Sequence, residues 1–578
     1  MIFAPVDILS GCKSGFTIQI PENSFVINQR KVRRYPCSNV VAELIQSDFV
    51  ARSELIDFSS GAFRIKAYSE AFRHNNWFNP DVSAAVRLFS DDKIIYTGFC
   101  KCIRWQDDHN ISKEIVFSAE SDHISRFLAK KIRNPRKRIS PPLAAVFEHP
   151  FLKKKIHRDI FDISTTGFSI SEKPDEDLLM PGMMIPDLSI LIAGFSIVSC
   201  AAQIIYRKKG DNNNIRYGIA ILDMDINSYG RINHILSINS DPQISVSSEI
   251  DMDALWEFFF QTGFIYPEKY RFCMDHREKF INTYRKLYLE NPEIARHITY
   301  EKNGRIYGHM SMIRAYERTW LIHHHAARPM GESKLPGFIV LRQMMIFLHG
   351  MYQLSSANMD YVICYFRPEN KFPDRVFGGF ARDLKNPQGC SLDLFSYVTL
   401  PLAYPEKPLP EGWILKESTS PDLWELEQFY KNNSGGLLLN ILRFGESDAA
   451  NDSVEKVFER LGFLRKWRTY SLSYEDRLKA VFIVDQSDLA INMSDLLNCI
   501  KIIITDSAML PPEVLSLAAL KLGGVYSLDK VTLLIYPAQY AKSAGFSYKK
   551  HYQLWITDMR YSNQFMDYVQ GKFRMHYV

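Results

Sequence analysis

Two stretches of this chain, about 15–120 and 141–225, are written almost wholly in short apolar or alternating runs. The first holds FTIQI, VVAELI, AFRIKAY, AAVRLF, IIYTGFCKCIRW and EIVFSAE; the second holds PLAAVFEH, RDIFDISTTGFSIS, FSIVSCAAQIIYRKK and NIRYGIAILDMD. Polar or proline-bearing turns divide the runs, so the side chains follow a period of two. Each stretch therefore predicts a small barrel or sandwich, and the second reads as another copy of the first.

After 225 the rhythm changes. INSYGRINHILSI predicts a helix and NSDPQISVSS a polar linker. Beyond 250, helical patterns (DMDALWEFFFQTG, HREKFINTYRKLYLEN, GFIVLRQMMIFLHGMYQL) alternate with strand patterns (TWLIHHHAA, DYVICYF, SLDLFSYV), and Asn303-Gly304 marks a hairpin. A weaker version of this order returns after 411, past the helix-breaking LPLAYPEKPLPEG. At 578 residues the chain exceeds what one core supports. Four domains are expected, over 1–128, 129–245, 252–400 and 411–578.

A net charge of +5 is too small for a nucleic-acid coat, and no DNA partner is expected. The cations cluster locally instead, in RKVRR at 30–34, AKKIRNPRKR at 129–138 and KKKIHR at 153–158. The nine cysteines are scattered without zinc-ligand spacing, so no metal is expected. With no run of 18 apolar residues and no secretion signal, a cytoplasmic protein without an integral membrane segment is expected.

Each β stretch carries the same small kit. In DISTTG, Asp162 and Ser164 stand two apart on a strand, hence on one face, and Gly167 permits a tight turn or a close backbone approach. A carboxylate and a hydroxyl side by side can accept from an N–H edge such as guanine's and donate to a polar atom. Upstream, NPRKR offers guanidiniums that fork onto phosphates and stack on bases. In the first copy Arg30 and Arg34 precede Asp57 and Ser59 of DFSSGA, and Ala62 stands where the second copy has Gly167. Aspartates that merely close turns, beside solvated arginines, are the plainer alternative.

With this kit, both segments resemble PilZ domains, the cyclic di-GMP receptor family. Its marks are R-x-x-x-R in a loop before a six-stranded barrel and D/N-x-S-x-x-G on a following strand. The resemblance implies a cyclic di-GMP site built from Arg30, Arg34, Asp57 and Ser59 in one copy, and from Arg136, Arg138, Asp162, Ser164 and Gly167 in the other. Arg138 aligns with the second arginine of the pattern and Asn134 with the first, leaving Arg133 or Arg136 as the substitute. Both copies are expected to contribute.

The order of elements past 250 resembles the acyl-CoA-dependent N-acyltransferase (GNAT-like) fold, met twice as α+β units with mixed central sheets. That family rests the acyl-CoA pyrophosphate between its fourth strand and the next helix, where exposed N–H groups favour anions. After LIHHHAA this chain has RPMGES, so Arg328 and Gly331 match the family loop, and Pro336 and Gly337 are expected to delay the helix. The later unit, with SAMLPPEV in that place, is the degenerate one. Strand alternation would turn His323 and His325 into the cleft as catalytic candidates, and Tyr365, Arg367 and Asn370 would stand at its rim. The leading expectation is a cyclic di-GMP-binding signalling protein with an acyltransferase-like output acting on an amine acceptor. The alternatives are a non-enzymatic effector whose second half docks a protein partner, and an N-acyltransferase with scaffold barrels.

Overall fold

The computed structural model describes residues 2–3, 8–12, 15–19, 25–26, 33–47, 49–68, 78–108, 112–120, 124, 136–173, 177–210, 214–246, 250–265, 267–290, 293–331, 335–402, 407–443 and 453–573. The fold is two six-stranded antiparallel barrels followed by α+β structure around a mixed sheet. The chain separates into two compact bodies, one holding both barrels up to Leu222 and the other beginning at Asp223.

The first barrel consists of β1 (Val41–Gln46), β2 (Phe49–Ser59), β3 (Ala62–Tyr68), β4 (Ala84–Ser90), β5 (Lys93–Asp108) and β6 (Ser112–Ala119). They close in the order β2-β1-β4-β5-β6-β3, with β3 returning to β2 and a short strand at Tyr35–Pro36 added beside β2. Alternation fills the interior: Leu55, Phe63, Ile65, Val86, Leu88 and Phe117 are buried. The second barrel is β7 (Leu143–Glu148), β8 (Lys155–Ser164), β9 (Gly167–Glu172), β10 (Met184–Ile192), β11 (Phe195–Lys209) and β12 (Ile215–Met224). It closes as β7-β8-β9-β12-β11-β10 around Phe147, Ile163, Phe168, Ile190 and Ile219.

The barrels meet through the β2–β3 turn. Ser60 Oγ donates to Asp177 Oδ2 at 2.5 Å, and Asp177 also receives Arg207 and the Tyr217 hydroxyl. Phe58 packs on His149 and Phe151, ring centroids 5.2 and 5.0 Å away.

In the second body one twelve-stranded sheet runs through both α+β units. Its strands are β13 (Ile244–Val246), β14 (Ala295–Lys302), β15 (Arg305–Tyr316), β16 (Thr319–Ala327), β17 (Tyr361–Phe366), β18 (Cys390–Pro401), β19 (Trp413–Glu417), β20 (Arg465–Tyr474), β21 (Arg477–Ser487), β22 (Cys499–Ile504), β23 (Lys530–Tyr536) and β24 (Tyr548–Asp558). The order is β13-β14-β15-β16-β17-β24-β18-β23-β22-β21-β20-β19. The two units thus exchange their last strands: β24 pairs with β17 and β18, while β18 of the earlier unit pairs with β23 of the later one. The expected linker is ordered into this body. Ile244 and Val246 are buried in β13, and α1 (Ile226–Ser240) is held by Tyr229 Oη donating to the Phe347 carbonyl at 2.8 Å.

A buried ion triad joins the units. Arg465 Nη2 lies 2.8 Å from Asp485 Oδ1, Lys501 pairs with the other carboxylate oxygen, and Arg465 Nε donates to the Ala315 carbonyl at 2.9 Å. The three ionic side chains are almost fully buried.

Candidate functional site

The acid–serine strings sit at hairpin ends, and register decides what each residue does. In the second barrel Ser164 pairs with Gly167, Ile163 with Phe168 and Asp162 with Ser169 around the Thr165-Thr166 turn. Ser164 Oγ donates to the Gly167 carbonyl at 3.0 Å and is buried; Ser59 Oγ does the same to Ala62 at 3.0 Å. Both serines therefore close the turns. The register shift in each hairpin falls before the acid, between Ile160 and Asp162 and between Leu55 and Asp57, so acid and serine stay two apart on an unbroken stretch of ladder.

Gly167 is required by close approach. A Cβ there would come within 3.0 Å of the Ile219 carbonyl oxygen on the paired strand and 3.3 Å from Ala220 Cα. The first barrel tolerates Ala62 because pairing of β3 with β6 begins one residue later, at Phe63 opposite Phe117.

The loop arginines come to the strand through a backbone bridge. Lys137 exchanges N–H···O bonds of 2.8 and 2.9 Å with Ile163, which pins the loop along β8. Its neighbours Arg136 and Arg138, two apart, then project to one side. Arg136 Nη1 lies 3.3 Å from Asp162 Oδ1, and the Arg138 guanidinium carbon sits 4.1 Å from the centroid of Phe161. A third arginine, Arg216 on β12, pairs with Asp162 Oδ2 and stacks 3.9 Å from the same ring, while Ser169 Oγ donates to Asp162 at 2.7 Å. Three guanidiniums thus surround one carboxylate and one aromatic face.

In the first barrel Arg34 Nη1 reaches Asp57 Oδ1 at 2.6 Å, and Arg30 lies outside the described residues. Arg64, opposite Asp57 in the hairpin, takes the other oxygen at 2.5 Å and also binds Glu114 Oε2 at 2.9 Å. Comparing registers, Glu114 on β6 occupies the position that Arg216 holds on β12. Among the described residues the first cluster sets Arg34 and Arg64 against Asp57 and Glu114, whereas the second gathers Arg136, Arg138 and Arg216 about Asp162 and Phe161.

The second candidate site lies where two parallel strands part. β16 and β17 pair from Thr319–Tyr361 to Ile322–Cys364, after which both continue without bonding each other. A cavity of about 640 Å³ fills the gap, lined by residues that include His323, His324, His325, Arg328, Gly331, Tyr365, Arg367 and Asn370. A bulge in β16 between the Ser311–His323 and His309–Ala326 pairs leaves His324 at φ +52°. All three histidines line the cavity, so the strand does not divide them between two faces. The His323 and His324 rings lie together, centroids 3.9 Å apart, whereas His325 Nε2 is bonded to the Gly337 carbonyl at 3.0 Å. Burial holds the imidazole of His323 neutral, its pKa pushed down to about 3.

Arg328 Nη2 donates to Gln261 at 2.7 Å and Gly331 adopts φ +65°. The helix α2 (Pro336–Met351) begins at Pro336 without the expected delay, and its Phe338 and Ile339 N–H groups bond to the Leu335 carbonyl. Few N–H groups of that first turn remain for a pyrophosphate, because Pro336 has none. The cavity itself has room for an acyl chain. In the later unit β22 and β23 pair as far as Ile503–Tyr536, one residue before β22 ends, and no comparable divergence forms.

No family model and no curated protein matches the chain. Among solved structures, the chain is similar to the MrkH–c-di-GMP complex of K. pneumonia (14% identity, 35% of this chain and 88% of that one, TM-score 0.18). It is also similar to YcgR in complex with c-di-GMP from Escherichia coli (11% identity, 35% and 85%, TM-score 0.17). A GCN5-related N-acetyltransferase from Sphaerobacter thermophilus is similar over 55% of this chain and 96% of its own (11% identity, TM-score 0.30).

Proposed function

We propose that this chain binds cyclic di-GMP through its second barrel and that its α+β body is an acyltransferase-like output. The observation that carries the reading is the gathering of three guanidiniums about Asp162 and Phe161. Arg136 and Arg216 flank the carboxylate and Arg138 stacks on the ring beside them, an array of fork donors that suits a ligand with two phosphodiesters. Asp162 is then the acceptor for a guanine edge, and Phe161 with its stacked arginines is the platform for a base.

The first barrel carries the same motif with an acid, Glu114, paired to Arg64 at the position that Arg216 holds in the second. In this reading it is a docking partner of the second barrel, through Ser60 and Phe58, and contributes no nucleotide site. The output reading rests on the cavity between the diverging strands, which suits the acyl end of a thioester donor such as acyl-CoA. The test is hydrogen exchange of the full chain with and without cyclic di-GMP. Protection is expected over Arg136–Ser171 and β12, with the β2–β3 hairpin unchanged; protection confined to the first barrel, or none, refutes it.

A further inference from the structure

We infer that the cavity between β16 and β17 takes a ligand carrying an uncharged hydrogen-bonding group, an alcohol or primary amide on an apolar body, and rejects an ammonium. The inference rests on reading this cavity as a ligand site and goes beyond it by naming the chemistry the site accepts. It runs against the amine acceptor that the resemblance of the sequence implies.

His323 is the reason. Its side chain lines the cavity and is 8% exposed, yet both ring nitrogens lack a hydrogen-bond partner among the described residues. Two polar atoms withdrawn from water without partners cost free energy that a cavity occupant recovers by bonding them. A neutral imidazole has one donor and one acceptor, so the best occupant both takes and gives a hydrogen bond. Hydroxyl and primary amide groups do both.

The rest of the wall excludes a cation. No Asp or Glu is among the described lining residues, while Arg328 and Arg367 are. An ammonium there would give up its hydration for no counter-charge and face like charges. His323 cannot relieve it by taking the proton, because an imidazole this reluctant to ionise is a far weaker base than an alkylamine. Met310, Phe366, Phe372, Phe377 and Met493 complete the lining with apolar surface for the ligand's body.

The test titrates full-length protein with hexanamide, 1-hexanol and hexylammonium, reading affinity by ligand-observed NMR at neutral pH. Hexanamide and hexanol are expected to bind at least about tenfold tighter than hexylammonium, roughly the worth of one buried hydrogen bond. His323→Phe is expected to weaken hexanamide about tenfold, and His323→Gln to restore most of the loss. Hexylammonium binding as well as the amide overturns the inference, as does hexanamide binding that a folded His323→Phe leaves unchanged. A parallel titration with coenzyme A separates the failures: coenzyme A binding without hexanamide binding sinks this inference alone, and binding of neither sinks the ligand-site reading with it.

Discussion

Replacing Gly167 with alanine tests the hairpin geometry on which the proposed nucleotide site is built. The added Cβ would meet the Ile219 carbonyl oxygen inside 3.0 Å and Ala220 Cα at 3.3 Å, both backbone atoms of the paired strand. Neither can rotate away, so β9 and β12 must part by a few tenths of an ångström or more. Overpacking of this kind costs about 1–3 kcal/mol. Alanine returns about 0.4–1 kcal/mol by restricting the unfolded chain, leaving a net loss of about 1–2 kcal/mol. That loss corresponds to roughly 5–30-fold faster opening of the hairpin. Hydrogen exchange of the full chain over β9 and β12 reads it directly. Gly61→Ala is the matched control, since its Cβ would meet nothing within 4 Å. If Gly167→Ala exchanges no faster than Gly61→Ala, the close-approach argument is wrong.

Two further perturbations probe the buried charges. Glu172, bonded to Arg158 at 2.9 Å, is pushed up from 4.5 to about 7, mainly by burial. The folded state therefore holds an extra proton between those values, and the associated stability is present below 4.5 and lost as pH rises through 7. The wild type is expected to lose about 2 kcal/mol between pH 5 and 8 relative to Glu172→Gln in denaturant unfolding; equal pH slopes for the two proteins would contradict this. Asp485→Ala leaves Arg465 and Lys501 buried without a counter-charge, and about 3–5 kcal/mol of stability should go, seen as a lowered melting transition of the full chain. A transition within a degree of wild type would show that the triad carries no such burden.

Much of this architecture was legible because local rules and the fold agree. The runs AFRIKAY and TWLIHHHAA became strands β3 and β16, and INSYGRINHILSI became α1. The pairing of Asp57 with Arg64 was also within reach, since a two-residue turn at Ser60-Gly61 sets them opposite each other. Arg216 was not, because it reaches Asp162 from a strand 54 residues on, through barrel closure that no local pattern encodes. The exchange of β18 and β24 was hidden for the same reason: strand propensity names an element without naming its neighbour. The bulge at His324 was hidden too, since it depends on the pairing with β15 and adds His324 to the cavity wall that His323 and His325 also form.

The central claim is that arginines over the second barrel hold cyclic di-GMP while the first barrel, where Glu114 replaces the third arginine, does not. Calorimetric titration of the full chain, comparing Arg136→Ala/Arg138→Ala with Arg34→Ala/Arg64→Ala, puts it to the question most directly. The account predicts that the first pair loses the binding heat by at least about a hundredfold in affinity, two charge-assisted contacts being removed, and that the second pair retains it. Unchanged binding in the first pair, or loss only in the second, would contradict it.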